Sequence, residues 1–278
     1  MDEALRAELR AIYEDLHTHP ELSHQETRTA GIVGAWLRAE GYEMVEPVGS
    51  TGVVGVLRNG PGPVVLLRAD MDALPVAEET GLPYASQTPG VMHACGHDVH
   101  VTCLLGATRE LATSRDSWQG TLVALFQPAE ETVDGAQGMV DDGLYDRVPK
   151  PEVVLGQHVA PIPAGIIGLQ PGPAFAASDS IRVTMFGAGS HGSRPESGVD
   201  PVVMAAATVL RLQTVVSREV AGNETAVLTV GAINAGTKAN IIPDSAELLL
   251  NVRSYDPDMR DRVLAAIERI VNAEAQAS

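Results

Sequence analysis

The chain has 278 residues, 45% of them apolar, enough for one large or two medium hydrophobic cores. Its 19 Lys and Arg against 36 Asp and Glu leave a formal charge of −17, which repels a phosphate backbone, and with no basic, aromatic-rich run nucleic acid is not an expected partner. Nothing approaches about 18 consecutive apolar residues, MDEALRAELR lacks the layout of a secretory leader, and Cys95 and Cys103 make no disulfide framework, so a cytoplasmic protein with free thiols and no membrane partner is expected.

In chain order, residues 2–16 and 26–40 carry apolar positions at helical spacing, the second run stopping at Gly41. Short runs rich in Val, Leu and Ile follow at 52–57, 63–70, 120–131, 152–159 and 165–172, with a helical stretch over 98–113 between two of them. Continuous apolar strands alternating with helices predict an α/β fold, a largely parallel sheet with flanking helices on both faces. From Ser178 the texture changes: a strand SIRVTMFGAG, a helix over 200–219, strands TAVLTVGAINAG and AELLLNVRSYD, and a helix over 257–274. That order, β-α-β-β-α, predicts a second domain, 178–278, built as a ferredoxin-like α+β unit without its last strand, after a first domain over 1–177.

In open α/β sheets the ligand crevice lies outside the carboxyl ends of the strands, and the polar clusters fall there. One strand ends in Asp70 and Asp72, another in Glu130 and Glu131, a third in His158, and MHACGHDVH (92–100) occupies a loop leading into a helix. Cys, His, Glu and His converging from four segments read as a metal site: thiolate and imidazole suit zinc, and carboxylate extends the range to manganese. Cys95 and His97, two apart in an irregular segment, can both face one point. Of the paired carboxylates one can ligate while the other takes a proton from a metal-held water, whose pKa falls from ~15.7 toward ~7. Asp70 and Asp72 are read either as second supports that orient imidazoles or as strand-end caps. His17 and His19 are expected to be structural and Cys103 to lie in the core; for His93 and His100 the sequence does not separate support from accident. GAGSHG (187–192) matches G-x-G-x-x-G but opens no helix, and G-x-S-x-G, H-E-x-x-H and Walker sequences are absent, which leaves dinucleotide, serine-hydrolase and kinase chemistry without support.

Taken together, LRADMDALPVAEETGLPYAS, MHACGHDVH, FQPAEE, GQHV and GTKANIIPDSAEL resemble the metal-dependent amidohydrolase and carboxypeptidase family that includes hippurate hydrolase, plant auxin-conjugate hydrolases, N-acetyldiaminopimelate deacetylase and bacterial aminoacylases. The resemblance implies two divalent metal ions, Zn or Mn, bound by Cys95, His97, Glu131 and His158, with Glu130 as the general base. It implies a second domain that serves as lid and dimerisation surface of a homodimer, with His191 stabilising the oxyanion and Asn240 and Arg253 holding the substrate. Pro195 and Glu196 stand where the family commonly has Pro-His, and the family supplies one further histidine ligand beyond the point where this sequence stops, so an incomplete chain is expected. The implied reaction is hydrolysis of the amide bond of N-acyl amino acids or related small conjugates. The alternatives are a dipeptidase or carboxypeptidase acting on short peptides, and a non-catalytic metal-binding and dimerisation protein.

Overall fold

In the computed structural model, which describes residues 1–278, the first helix α1 (Glu3–Thr18) begins where the Asp2 carboxylate accepts the Leu5 N–H at 2.8 Å. It buries Leu5, Leu9 and Leu16, a spacing that keeps all three on one face. α2 (Thr27–Ala39) follows, then β1 (Glu43–Val48), β2 (Gly52–Asn59) and β3 (Val64–Asp70). Beyond a long irregular stretch come α3 (His97–Thr113), β4 (Gly120–Gln127), α4 (Gly135–Asp141), α5 (Leu144–Arg147) and β5 (Val153–Gly156). These elements make the unit Met1–Pro163.

Its five strands form one sheet in the order β1-β2-β4-β3-β5. β3 pairs in parallel with β4 and β5, while β2 is antiparallel to both its neighbours, so every strand but β2 points the same way. β4 alternates between two cores: Leu122, Ala124 and Phe126 face the helical layer of α1, α2 and α3, and Val123 and Leu125 face the layer containing Met139 and Leu144. Burial on both faces is why this strand reads as an unbroken apolar run. Register then fixes the site. Asp70 lies opposite Gln127 and Arg68 opposite Gly156, so the chain segments leaving β3, β4 and β5 emerge at one level along the same edge.

The elements Ala164–Ser278 make a second unit. It contains β6 (Ala177–Phe186), β7 (Ser190–His191), α6 (Pro201–Thr214), β8 (Ala226–Ala235), β9 (Ile241–Ile242), β10 (Ser245–Ser254) and α7 (Pro257–Ala277). Both helices start with an Asp cap followed by proline: Asp200 accepts from Val202 N–H at 2.8 Å and Asp256 from Met259 N–H at 2.9 Å. The sheet β6-β10-β8 is antiparallel throughout, and Ala246, Leu248, Leu250 and Val252 on alternate positions of β10 pack with Met204, Leu212, Val263 and Ile267 of the helices. β7 and β9 form a separate two-stranded ribbon.

Several details differ from the sequence expectation, among them a strand β1 that it did not anticipate. Residues 165–172 form no strand: Gly165 and Gly172 take left-handed φ values of 87° and 80°, and Pro171 removes a ladder donor. The strand expected over 120–131 stops at Gln127, because Pro128 and the left-handed Ala129 (φ 50°) turn the chain out of the sheet. Cys103, expected in the core, is exposed, since the buried stripe of α3 runs through Val101, Leu104, Leu105 and Thr108. No helix is long and apolar enough to cross a membrane.

Candidate metal centre

Two buried aspartates at the end of β3 organise the rim of the first sheet. Asp70 accepts from Arg68 Nη1 at 2.6 Å and meets His100 Nδ1 at 2.6 Å. The other nitrogen of His100, Nε2, accepts the Val159 N–H at 2.9 Å, so this ring is spent on both sides and ties the segment after β5 to the site. Asp72 lies 3.2 Å from His97 Nδ1 and also accepts the Glu131 N–H at 3.0 Å and the Ser23 hydroxyl at 2.7 Å. Burial alone would raise the pKa of either carboxyl. For Asp72 the bonds from His97, the Glu131 amide and Ser23 overcome it, for Asp70 the bond from His100 and the charges of Arg68 and His97 do so, and both stay below the ordinary range.

Gly96, at φ 82°, carries the chain from Cys95 into the first residue of α3, and a Cβ there would collide with Val159. That left-handed step lets the Cys95 thiol and the His97 imidazole address the same space. Cys95 Sγ stands 3.3 Å from His158 Nε2. With Asp72 on Nδ1, His97 directs Nε2 toward Glu131 Oε1 at 3.8 Å and Glu130 Oε2 at 3.9 Å. Possible donor atoms of Cys95, His97 and His158 all lie within 4.8 Å of one another, as do those of His97, Glu130 and Glu131, so His97 belongs to both groups.

The donor atoms themselves test whether a metal fits. His97 Nε2 and Glu131 Oε1 are both buried and both lack a hydrogen-bond partner. Their separation of 3.8 Å is too long for a hydrogen bond, and leaving two such groups unsatisfied is costly. It matches the span of two ligands on one divalent ion, each about 2.0–2.2 Å from it. The thiol agrees. Burial first, and then the negative charges of Glu131, Glu130 and Asp70, push the Cys95 pKa up to about 12, a local excess of negative charge that a cation would relieve. His97 is raised despite its burial, by its bond to Asp72 and the charges of Asp70, Asp72 and Glu131.

The structure therefore brings Asp70, Asp72, Cys95, His97, Glu130, Glu131 and His158 to one edge of one sheet. His100, which the sequence left open, holds Asp70 and Val159; His93 is a buried ring with both nitrogens unpartnered, and burial lowers its pKa to about 4. His17 pairs with Asp98 and Glu78, and His19 with the Asp15 carbonyl. Glu26, unnoticed in the sequence beyond its place at a helix start, accepts the Ala129 N–H at 2.8 Å beside the carboxylate pair. Within the second unit, the ribbon pairs His191 with Ile241 and so brings Asn240 beside it: the Asn240 carbonyl accepts the Gly192 N–H at 2.9 Å, and His191 Nδ1 lies 2.8 Å from Ser193 Oγ. Arg253 sits at the far end of β10 from that ribbon, exposed, donating to Asn251 Oδ1 at 3.2 Å.

This arrangement has relatives. The chain is 42% identical over 261 residues to N-acetyl-L-cysteine deacetylase of Bacillus subtilis, covering 93% of this chain and 62% of that protein. It is 42% identical over 276 residues to hippurate hydrolase of Campylobacter jejuni, covering 99% and 71%. A solved structure from Bacillus subtilis, described as a dinuclear metal binding peptidase from the M20 family, superposes with a TM-score of 0.81 at 34% identity over 99% of this chain and 72% of that one. The chain thus spans about two thirds of the length of the curated relatives it matches. Residues 66–269, which contain the convergent thiol, imidazoles and carboxylates, match the family model of peptidase family M20/M25/M40, and the chain belongs to that family.

Proposed function

We propose that the protein hydrolyses the amide bond of N-acyl amino acids and related small conjugates, with Cys95, His97, Glu131 and His158 holding two divalent ions, zinc or manganese, and Glu130 moving protons. The observation that carries this reading is the facing pair of buried, unpartnered donor atoms on His97 and Glu131. Bound divalent ions supply Lewis acidity, polarising the scissile carbonyl and lowering the pKa of water. The two adjacent glutamates then divide the work by exposure: the Glu131 side chain is 21% exposed and faces His97, whereas that of Glu130 is 40% exposed. Glu130 takes the proton of the attacking water as its oxygen bonds to the carbonyl carbon. It returns that proton to the departing nitrogen as the C–N bond breaks, leaving a carboxylic acid and an amine, and the acid's proton then passes to the amine to give carboxylate and ammonium.

His191 is assigned to the oxyanion, and Asn240 and Arg253 to the substrate's polar groups, Arg253 gripping a carboxylate. The second unit serves as lid and as the surface of a cytoplasmic homodimer. The names of the relatives, a deacetylase of N-acetyl-L-cysteine and a hippurate hydrolase, support small N-acyl amino acids as the substrate class. The test is a panel of N-acetyl and N-benzoyl amino acids. Glu130→Gln is expected to keep its metal and lose about 10²–10⁴-fold in kcat, and chelation to abolish turnover that Mn or Zn restores. Unchanged turnover in Glu130→Gln, or hydrolysis by metal-free protein, overturns the reading.

A further inference from the structure

Glu26 is fully buried, and the reaction above gives it no task. It occupies the N-cap of α2 yet makes no cap hydrogen bond there. Glu21 does that instead, accepting the Arg28 and Thr29 N–H groups at 2.8 Å each. The Glu26 carboxylate turns inward: Oε1 accepts the N–H of Ala129 at 2.8 Å and of His24 at 3.0 Å, and Oε2 accepts the Thr51 hydroxyl at 2.6 Å. All three donors are uncharged, an expensive way to bury a carboxylate.

The first of those bonds, from Ala129, holds a strained turn. Ala129 has φ 50°, a left-handed conformation that a side chain disfavours, and it immediately precedes Glu130. On the other side of Glu130, Asp72 accepts the Glu131 N–H. The segment carrying Glu26 reaches the same turn once more directly, where His24 Nε2 lies 2.9 Å from Asp134 Oδ1, and once through Asp72, to which Ser23 donates.

We propose that Glu26 is a positioning residue for Glu130: by accepting the Ala129 N–H it keeps that residue left-handed and so sets the direction in which Glu130 leaves the turn. This rests on the proton-carrying role assigned to Glu130. The requirement is an acceptor, not a charge, because Gln can accept from Ala129 with its carbonyl and donate its amide to the Thr51 oxygen.

The experiment compares Glu26→Gln, Glu26→Asp and Glu26→Ala in the full chain, by hydrogen exchange of the peptide spanning 129–132 in metal-free protein and by steady-state kinetics of Mn-loaded protein on an N-acetyl amino acid. Asp keeps the charge but withdraws the carboxylate, and it decides the matter if Ala does not fold. Asp and Ala are expected to speed exchange about tenfold and to lower kcat about 10²-fold with KM and metal content nearly unchanged, while Gln keeps most of both properties. Unchanged exchange in Asp and Ala overturns the proposal, as does wild-type kcat in both while Glu130→Gln is inactive. If Glu130→Gln is itself fully active, the hydrolytic reading fails, and with it the link to Glu130; exchange then shows separately whether Glu26 holds the turn.

Discussion

Gly135 shows how little space surrounds the paired glutamates. Its N–H donates to the Ala129 carbonyl at 3.2 Å, and a Cβ at this position would overlap the Pro128 carbonyl oxygen, which is backbone and has nowhere to go. Gly135→Ala is therefore expected to destabilise the fold by about 1–3 kcal/mol and to lower activity along with it; a wild-type melting temperature would show that the turn yields without cost. The neighbouring donor atoms set a second expectation. The Cys95 thiol and the His97 imidazole both hold protons more firmly than usual, the first through burial and nearby carboxylates, the second through Asp72 and its neighbours despite burial. Those protons must leave before either residue can ligate, so metal affinity should rise with pH, by about tenfold per pH unit for each proton released. Competition with a chelator at pH ~6.5 and ~8.5, near the ordinary pKa values of imidazole and thiol, reads that slope, and a flat response excludes both residues as ligands.

Between elements, the link that deserves testing is His17 at the end of α1. Its Nδ1 meets Asp98 in the first turn of α3 at 2.6 Å and its Nε2 meets Glu78 at 3.2 Å, so it joins two elements and a loop through one buried ring. Burial lowers its pKa, but the bonds and charges of Asp98 and Glu78 outweigh this and raise it. A raised folded-state pKa contributes stability that is complete below the unfolded value of ~6.5 and is lost as pH rises through the folded value. His17→Ala should thus cost about 3 kcal/mol near pH 6 and less in alkaline buffer, measured by urea unfolding; a penalty that grows with pH would contradict the pairing. Elements differ in how legible they were for the same kind of reason. β4 was readable because both of its faces are buried. β1 was not, because EMVEPV is an edge strand, partly exposed, with two glutamates and a proline. The segment 165–172 had apolar content without the backbone to pair. Cys95, His97, Glu130 and Glu131 stood out because polar residues crowd the ends of apolar runs, whereas the role of Glu26 depends on a partner 103 residues away and leaves no local pattern.

Across the whole chain, the metal chemistry and the substrate groups assigned to the second unit are separable by position. Met1–Pro163 carries Cys95, His97, Glu130, Glu131 and His158 and has cores on both faces of its sheet; Ala164–Ser278 has a core of its own, made by one face of its sheet and two helices. The start of the second unit, up to β6, is irregular, with Leu169 91% exposed and Phe175 78% exposed. Exposed apolar residues in glycine- and proline-rich backbone suit chymotrypsin, since cleavage requires local opening that costs little where backbone hydrogen bonds are few. Brief digestion is expected to cut at these two residues before any site inside the sheets. The N-terminal product should retain the bound metal and the C-terminal product its helical and strand signals, because each keeps its own buried core. Metal appearing only in uncut protein would mean that the four proposed ligands of the first unit do not suffice to hold it. Primary cleavage within β3, β4 or α3 would mean that the rim, rather than the irregular stretch, is the weakest part of the chain.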